Sequence, residues 1–167
     1  HAADFTVTRT NISGPGSLQA VIAQVNATPG DHTLRFGVTG TIIPETPLPT
    51  ITRNLVIEGR EGLVLSGGGK IPLLSFGTNV TASLTGLVLV DGYSTNGGAA
   101  IWNAGKLVIE RCRLSGNKGG VYGGAVFNGS SASLEILRST LSSNTVSPGW
   151  GGGVYNAGEL VVSQSTF

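Results

Sequence analysis

Three phrases in the second half of the chain read alike. GGAAIWNAGKLVIERCRLSGN begins at Gly97, GGAVFNGSSASLEILRSTLSSN at Gly123 and GGGVYNAGELVVSQSTF at Gly151. A repeat at fixed spacing constrains a fold more than composition does, because every copy must take the same shape and meet its neighbours in the same way. Leu89, Leu114, Leu141 and Phe167 hold equivalent places at spacings of 25, 27 and 26, and Asn103, Asn128 and Asn156 follow at 25 and 28. GLVLSGG at Gly62 matches GLVLVDG at Gly86 with a spacing of 24. The slack sits in one turn: three residues separate Asn103 from Leu107 and Asn156 from Leu160, but five separate Asn128 from Leu134.

Each copy holds short alternating runs and no helical pattern. In KLVIERCRL, Leu107 and Ile109 point one way, and Val108 and Glu110 the other. Cys112 and Leu114 resume the inward set after a one-residue shift at Arg111, which predicts a bend or bulge. SLEILRSTL repeats this with Leu134, Ile136, Ser139 and Leu141, and ELVVSQSTF with Leu160, Val162, Ser165 and Phe167. Short strands bounded by Gly, Asn and Ser at a period near 25 predict an all-β fold, a parallel β-helix. Stacked coils, about 4.8 Å apart, pair each strand with its equivalents above and below. A propeller repeats at about 40 residues with longer strands, and leucine-rich repeats need Leu at more positions.

The first third differs. DFTVTRTN reads as a strand. SLQAVIAQVNATPG reads as an amphipathic helix with Ser17 as N-cap, Leu18, Val21, Ile22 and Val25 on one face, and Pro29-Gly30 as its stop. An open solenoid end exposes strand edges and core, so a helix there is expected as a cap. The organisation predicted is one β-helix domain over 1–167, with strand and capping helix in 1–32 and coils in 33–167. The last coil reads as incomplete. Pro44, Pro47 and Pro49 make the first full coil irregular.

Composition narrows the function classes. Charged residues are only 11%, the net charge is +1 and Lys and Arg form no run, so nothing points to nucleic acid or an anionic membrane. No apolar segment is long enough for a membrane span. The opening HAAD fits the remnant of a signal-peptide cleavage. The single cysteine, Cys112, forbids an internal disulfide and reads as a small core residue, since His1 and His32 lie far from it in sequence.

SLQAVIAQVNATPGDHTLRFGVTGTI, followed by LPTITRNLVIEG, GLVLVDG and the repeated Gly-Gly and Asn phrases, resembles bacterial secreted proteins with a right-handed, single-stranded parallel β-helix. Relatives of that group include polymorphic outer-membrane repeat proteins and other large surface passengers. The resemblance implies a secreted or cell-surface setting, and, with the incomplete last copy, either a longer polypeptide of which this is an N-terminal portion or a chain whose last coil is completed by something else. It does not imply one activity, because the scaffold carries adhesins, carbohydrate-active enzymes and inert stalks.

Lyases and hydrolases on such a scaffold need clustered acids. Stacking the copies puts Lys106 over Ser133 and Glu159, Val108 over Glu135 and Val161, Glu110 over Leu137 and Ser163, and Asp91 over Gly116, so no acid column forms in the well-aligned coils. Glu58, Glu61 and Asp91 read as solvated surface, and no catalytic residue, metal ligand or cofactor is assigned. Arg111 and Arg138 share a column and are expected to splay into solvent or meet an acidic partner. Asn103, Asn128 and Asn156 at one turn, and Asn117 and Asn144 at another, read as structural ladders of side-chain amides. Asn11, Asn26, Asn79 and Asn128 fit the glycosylation pattern. No column of paired threonines marks an ice-binding face.

The aromatic columns are the candidate binding surface. Trp102, Phe127 and Tyr155 coincide, each before a ladder Asn, while Ile101, Val126 and Val154 face the other way. Tyr122 and Trp150 pair before the Gly-Gly steps, with Tyr93 in the same loop one coil earlier. Outward rings at coil spacing can stack on sugar rings, or on each other to stiffen the coil. The functional class expected is a non-catalytic structural or adhesive module meeting carbohydrate or another surface protein. Self-association through an open last coil is a further expectation. The alternative is a polysaccharide-lyase-type enzyme.

Overall fold

A computed structural model describes residues 2–167. The chain winds as a parallel β-solenoid, and each full coil passes through four faces in turn. The first face is a seven-stranded sheet of Ala3–Val7, His32–Phe36, Leu55–Glu58, Thr81–Thr85, Lys106–Glu110, Ser133–Leu137 and Glu159–Ser163. The second has five strands, Gly40–Ile42, Leu63–Ser66, Val88–Val90, Arg113–Ser115 and Thr140–Ser142. The third has three short ones, Tyr93–Ser94, Lys118–Gly119 and Thr145–Val146. The fourth has four, Leu74–Phe76, Ile101–Asn103, Val126–Asn128 and Val154–Asn156.

The register follows the sequence columns. Leu89, Leu114 and Leu141 are Cα partners across the second face. Leu107, Leu134 and Leu160 are partners across the first, as are Ile109, Ile136 and Val162. Alternation sends the inner-coil members of these columns inward, so that Leu89, Ile109, Leu114 and Ile136 are buried in one continuous core, while Leu160 on the last strand is half-buried and Val162 is exposed.

The shift at Arg111 is a left-handed corner. Gly86, Arg111, Arg138 and Gln164 turn the chain from the first face to the second, with φ of 65°, 50°, 46° and 50°. One residue in this conformation rotates the next strand so that Cys112 and Leu114 point inward again. Asp91, Gly116 and Ser143 make the following corner in the same way, with φ of 51°, 68° and 56°. Two glycines among seven residues mean that the stacking holds several non-glycine residues where a Cβ is disfavoured.

The helix spans Leu18–Ala27. Ser17 Oγ accepts from the Ala20 N–H at 3.2 Å, and Leu18, Val21, Ile22 and Val25 are its buried face. They join the core cluster beside Ala3–Val7, the terminal strand of the first face. Asn26 fixes the helix end to the next coil: its Nδ2 donates to Thr50 O at 2.8 Å and its Oδ1 accepts from Thr52 N–H at 2.9 Å. His32, on the second strand of the first face, adds a clamp. Its Nδ1 accepts from Ala3 N–H at 3.2 Å and its Nε2 lies 2.9 Å from Thr28 O, so the tautomer protonated at Nε2 satisfies both. The proline-bearing stretch from Ile43 to Thr50 forms no strand, and the fourth face is ordered as a sheet only from Leu74 onward.

The left-handed corner sets a stability test. Arg111→Val puts a β-branched residue at φ 50° and is expected to cost about 1–2 kcal/mol in urea unfolding. Arg111→Gly, which copies Gly86 one coil earlier, is expected to cost nothing by the same measure.

Candidate ligand-binding flank

The fourth face displays the rings. Ile101 and Val126 are fully buried, so alternation turns their neighbours Trp102 and Phe127 outward, in register with Tyr155. The strand can start there because of the glycine column Gly98, Gly123 and Gly151. Gly123 has φ +64°, and a Cβ on it would lie 2.1 Å from Val126 O.

Trp102 and Phe127 stack with centroids 4.0 Å apart and planes at 18°, and Phe127 and Tyr155 continue the stack at 5.6 Å and 8°. The second column consists of Gly97, Tyr122 and Trp150, joined by parallel bridges. Tyr122 stacks on Trp150 at 5.8 Å and leans on Tyr155 at 4.6 Å, so the two columns merge into one patch of five rings. Trp102 keeps 37% of its surface exposed and Trp150 keeps 66%. Tyr93 is not in this patch. It pairs with Lys118 on the third face, and Gly97 takes the place a coil below Tyr122.

Behind the rings lie the asparagines. Asn103 Nδ2 donates to Asn128 Oδ1 at 2.8 Å, and Asn128 Nδ2 donates to Asn156 Oδ1 at 2.7 Å. Asn103 and Asn128 are fully buried and also bond backbone carbonyls of Ser133 and Glu159 in the following coil. At the other turn, Asn144 Oδ1 accepts from Asn117 Nδ2 at 3.0 Å and from Asn117 N–H at 3.1 Å. Asn117 Oδ1 accepts in turn from Gly92 N–H. Among the described residues no buried side-chain nitrogen or oxygen lacks a partner.

A further ladder escapes a reading based on asparagine alone. At the first corner, Leu87 N–H donates to Cys112 Sγ at 3.4 Å, Cys112 N–H to Ser139 Oγ at 3.1 Å, and Ser139 N–H to Ser165 Oγ at 3.1 Å. Each of these groups also donates to the carbonyl two residues earlier in its own coil. The recurrence of Ser, Ser and Cys in one column was the available signal. Burial pushes the Cys112 thiol above its ordinary value of 9.0, despite the opposing hydrogen bonds from backbone groups. Cys112 is thus a buried structural thiol with no histidine among its hydrogen-bond partners. His1, considered with it in the sequence, lies outside the described residues.

The charged candidates pair among themselves. Arg138 bonds Glu110, which Arg111 also approaches at 3.6 Å. The two stacked arginines therefore converge on one carboxylate rather than splaying apart, and they hold the Glu110 carboxyl below its usual range. Arg35 bridges Glu58 at 2.7 Å and Asp4 at 2.9 Å. Glu61 and Asp91 are exposed. Among the described residues, no three His, Cys, Asp or Glu side chains converge as a metal site, and no helix is long and apolar enough to cross a membrane. Of the glycosylation patterns, Asn128 is buried in its ladder and Asn26 is bonded to Thr50 and Thr52, while Asn11 and Asn79 are exposed. The chain matches no protein-family model and no curated protein sequence.

Two outcomes follow for the buried columns. Asn128→Ala leaves ladder partners unpaired and is expected to cost about 1–3 kcal/mol by urea unfolding. Cys112→Ser matches Ser139 and Ser165 and is expected to stay within about 1 kcal/mol of the wild type at pH 7. The folded thiol titrates above the unfolded one. Its contribution is complete below the unfolded value and is lost as pH climbs through the folded one. Above pH 9.0, the wild type is expected to lose more stability than Cys112→Ser, as read from urea midpoints across a pH series.

Proposed function

We propose that this chain is a non-catalytic structural and adhesive module of a secreted or cell-surface protein, and that its ring-bearing flank binds carbohydrate. The observation that carries the reading is the merger of Trp102, Phe127, Tyr155, Tyr122 and Trp150 into one outward patch, with Trp102 partly exposed although coils stack on both sides of it. Flat rings on a rigid sheet offer a stacking surface that needs little ordering when a ligand arrives. The extracellular setting rests on the resemblance to bacterial secreted β-helix proteins such as the polymorphic outer-membrane repeat group. The lyase reading gains nothing from Glu58 and Glu110, which are each bonded to arginine, and Glu135 and Glu159 stand in register with Val108, Val161 and Ser133 rather than with another acid.

A glycan array followed by product analysis tests this. Retention of at least one glycan without cleavage is expected, with loss of retention in the double variant Trp102→Ala, Trp150→Ala. Release of shortened products by the wild type overturns the non-catalytic reading, and retention undiminished in the double variant overturns the role of the rings.

A further inference from the structure

The ring column stops at Trp102. Its register partner on the preceding coil is Ser75, whose Oγ donates to Thr50 Oγ1 at 3.0 Å. Two small hydroxyl side chains stand where a ring would continue the stack, and they leave a cleft of about 250 Å³ between Pro47, Leu48, Pro72, Gly98 and Trp102. Phe127 covers one face of the indole, so the other face looks into this cleft.

The lining has a distinct chemistry. It holds no lysine, arginine, histidine, aspartate or glutamate. Its side-chain polar groups are the hydroxyls of Thr50, Ser75 and Ser94 and the indole N–H of Trp102. Thr50 Oγ1 accepts the Ser75 proton and so keeps its own O–H to donate. Ser94 Oγ accepts from Gly97 N–H at 3.1 Å and likewise keeps a proton.

We infer that the cleft binds one ring of a neutral β-linked glucopyranose-type glycan, with Trp102 as its stacking platform. The inference rests on the carbohydrate reading above and names its site and ligand class. A β-glucopyranose ring presents the axial hydrogens of C1, C3 and C5 on one face. That face matches an indole, while the equatorial hydroxyls at the rim meet Thr50, Ser75 and Ser94. A uronate or other acidic sugar finds no cation in the lining to offset desolvation of its carboxylate. The volume lies below the ~300–1,000 Å³ usual for drug-sized ligands, so one ring enters and the rest of the glycan stays outside. A proline-rich peptide also favours aromatic walls, but it docks across several of them, and Trp102 is the one aromatic residue in the lining of this cleft.

The test is calorimetric titration of the full chain with cellotetraose, trigalacturonate and a proline-rich peptide, repeated on Trp102→Ala and Ser75→Phe. Ser75→Phe extends the column by one ring, as Phe127 and Tyr155 already do, and closes the indole face. The urea midpoint of each variant reports folding independently. Cellotetraose is expected to bind the wild type and to bind both variants roughly tenfold more weakly or not at all, with no binding of trigalacturonate. Unchanged cellotetraose affinity in a folded Ser75→Phe, equal affinity for trigalacturonate, or Trp102-dependent binding of the peptide in place of cellotetraose overturns the inference. Glycan binding that persists in both variants but is lost in Tyr122→Ala, Trp150→Ala overturns the cleft and leaves the carbohydrate reading standing. Failure of the wild type to retain any glycan on the array overturns both.

Discussion

Parallel stacking in register sets each residue above its own equivalent, and every other feature of this fold answers to that condition. A column survives only if its side chain tolerates contact with another of its kind. Leucine, isoleucine and valine do so inside. Inward polar positions are harder, because a buried group must find both a donor and an acceptor. The asparagine amide carries both and can pass a hydrogen bond from coil to coil, as Asn103, Asn128 and Asn156 do. The hydroxyls of Ser139 and Ser165 and the thiol of Cys112 meet the same condition at the first corner, accepting from one coil and donating within their own. Arginine does not tolerate self-stacking unaided, and Glu110 lies beside both Arg111 and Arg138 to offset it.

The same condition explains what the sequence discloses. The period, the inward columns and the one-residue shift at Arg111 are written in residues local to a coil, so alignment of the copies finds them, although the left-handed φ behind that shift is seen only in the structure. Ser17, Leu18, Val21, Ile22 and Val25 take the places that capping chemistry and helical spacing predict. Contacts that run diagonally between columns leave no such trace. Glu110 sits in register with Leu137 but bonds Arg138, one residue further along the next coil. The pairing of Gly97, rather than Tyr93, with Tyr122 depends on where a loop re-enters register, and the loops vary in length. The clamp of His32 on Ala3 and Thr28 joins segments with no counterpart elsewhere in the chain. The cleft beside Trp102 is hidden for a related reason: its far wall comes from the proline-bearing stretch, the one coil that departs from the repeat.

The outward rings separate two demands that a solenoid usually combines. Stacked pairs contribute about 0.5–1.5 kcal/mol each beyond area burial, so part of the column is accounted for by stiffness alone. That account covers Phe127, which has a ring on either side. It does not cover the second face of Trp102, which has coils on both sides of it and still stays partly exposed. A column built only to stiffen the coil would end on a small residue or turn its last ring against the sheet. Here it ends on the largest side chain available, with hydroxyls arranged opposite its open face. Exposed apolar area of this kind adds nothing to folding, and it gains free energy only when a second surface covers it.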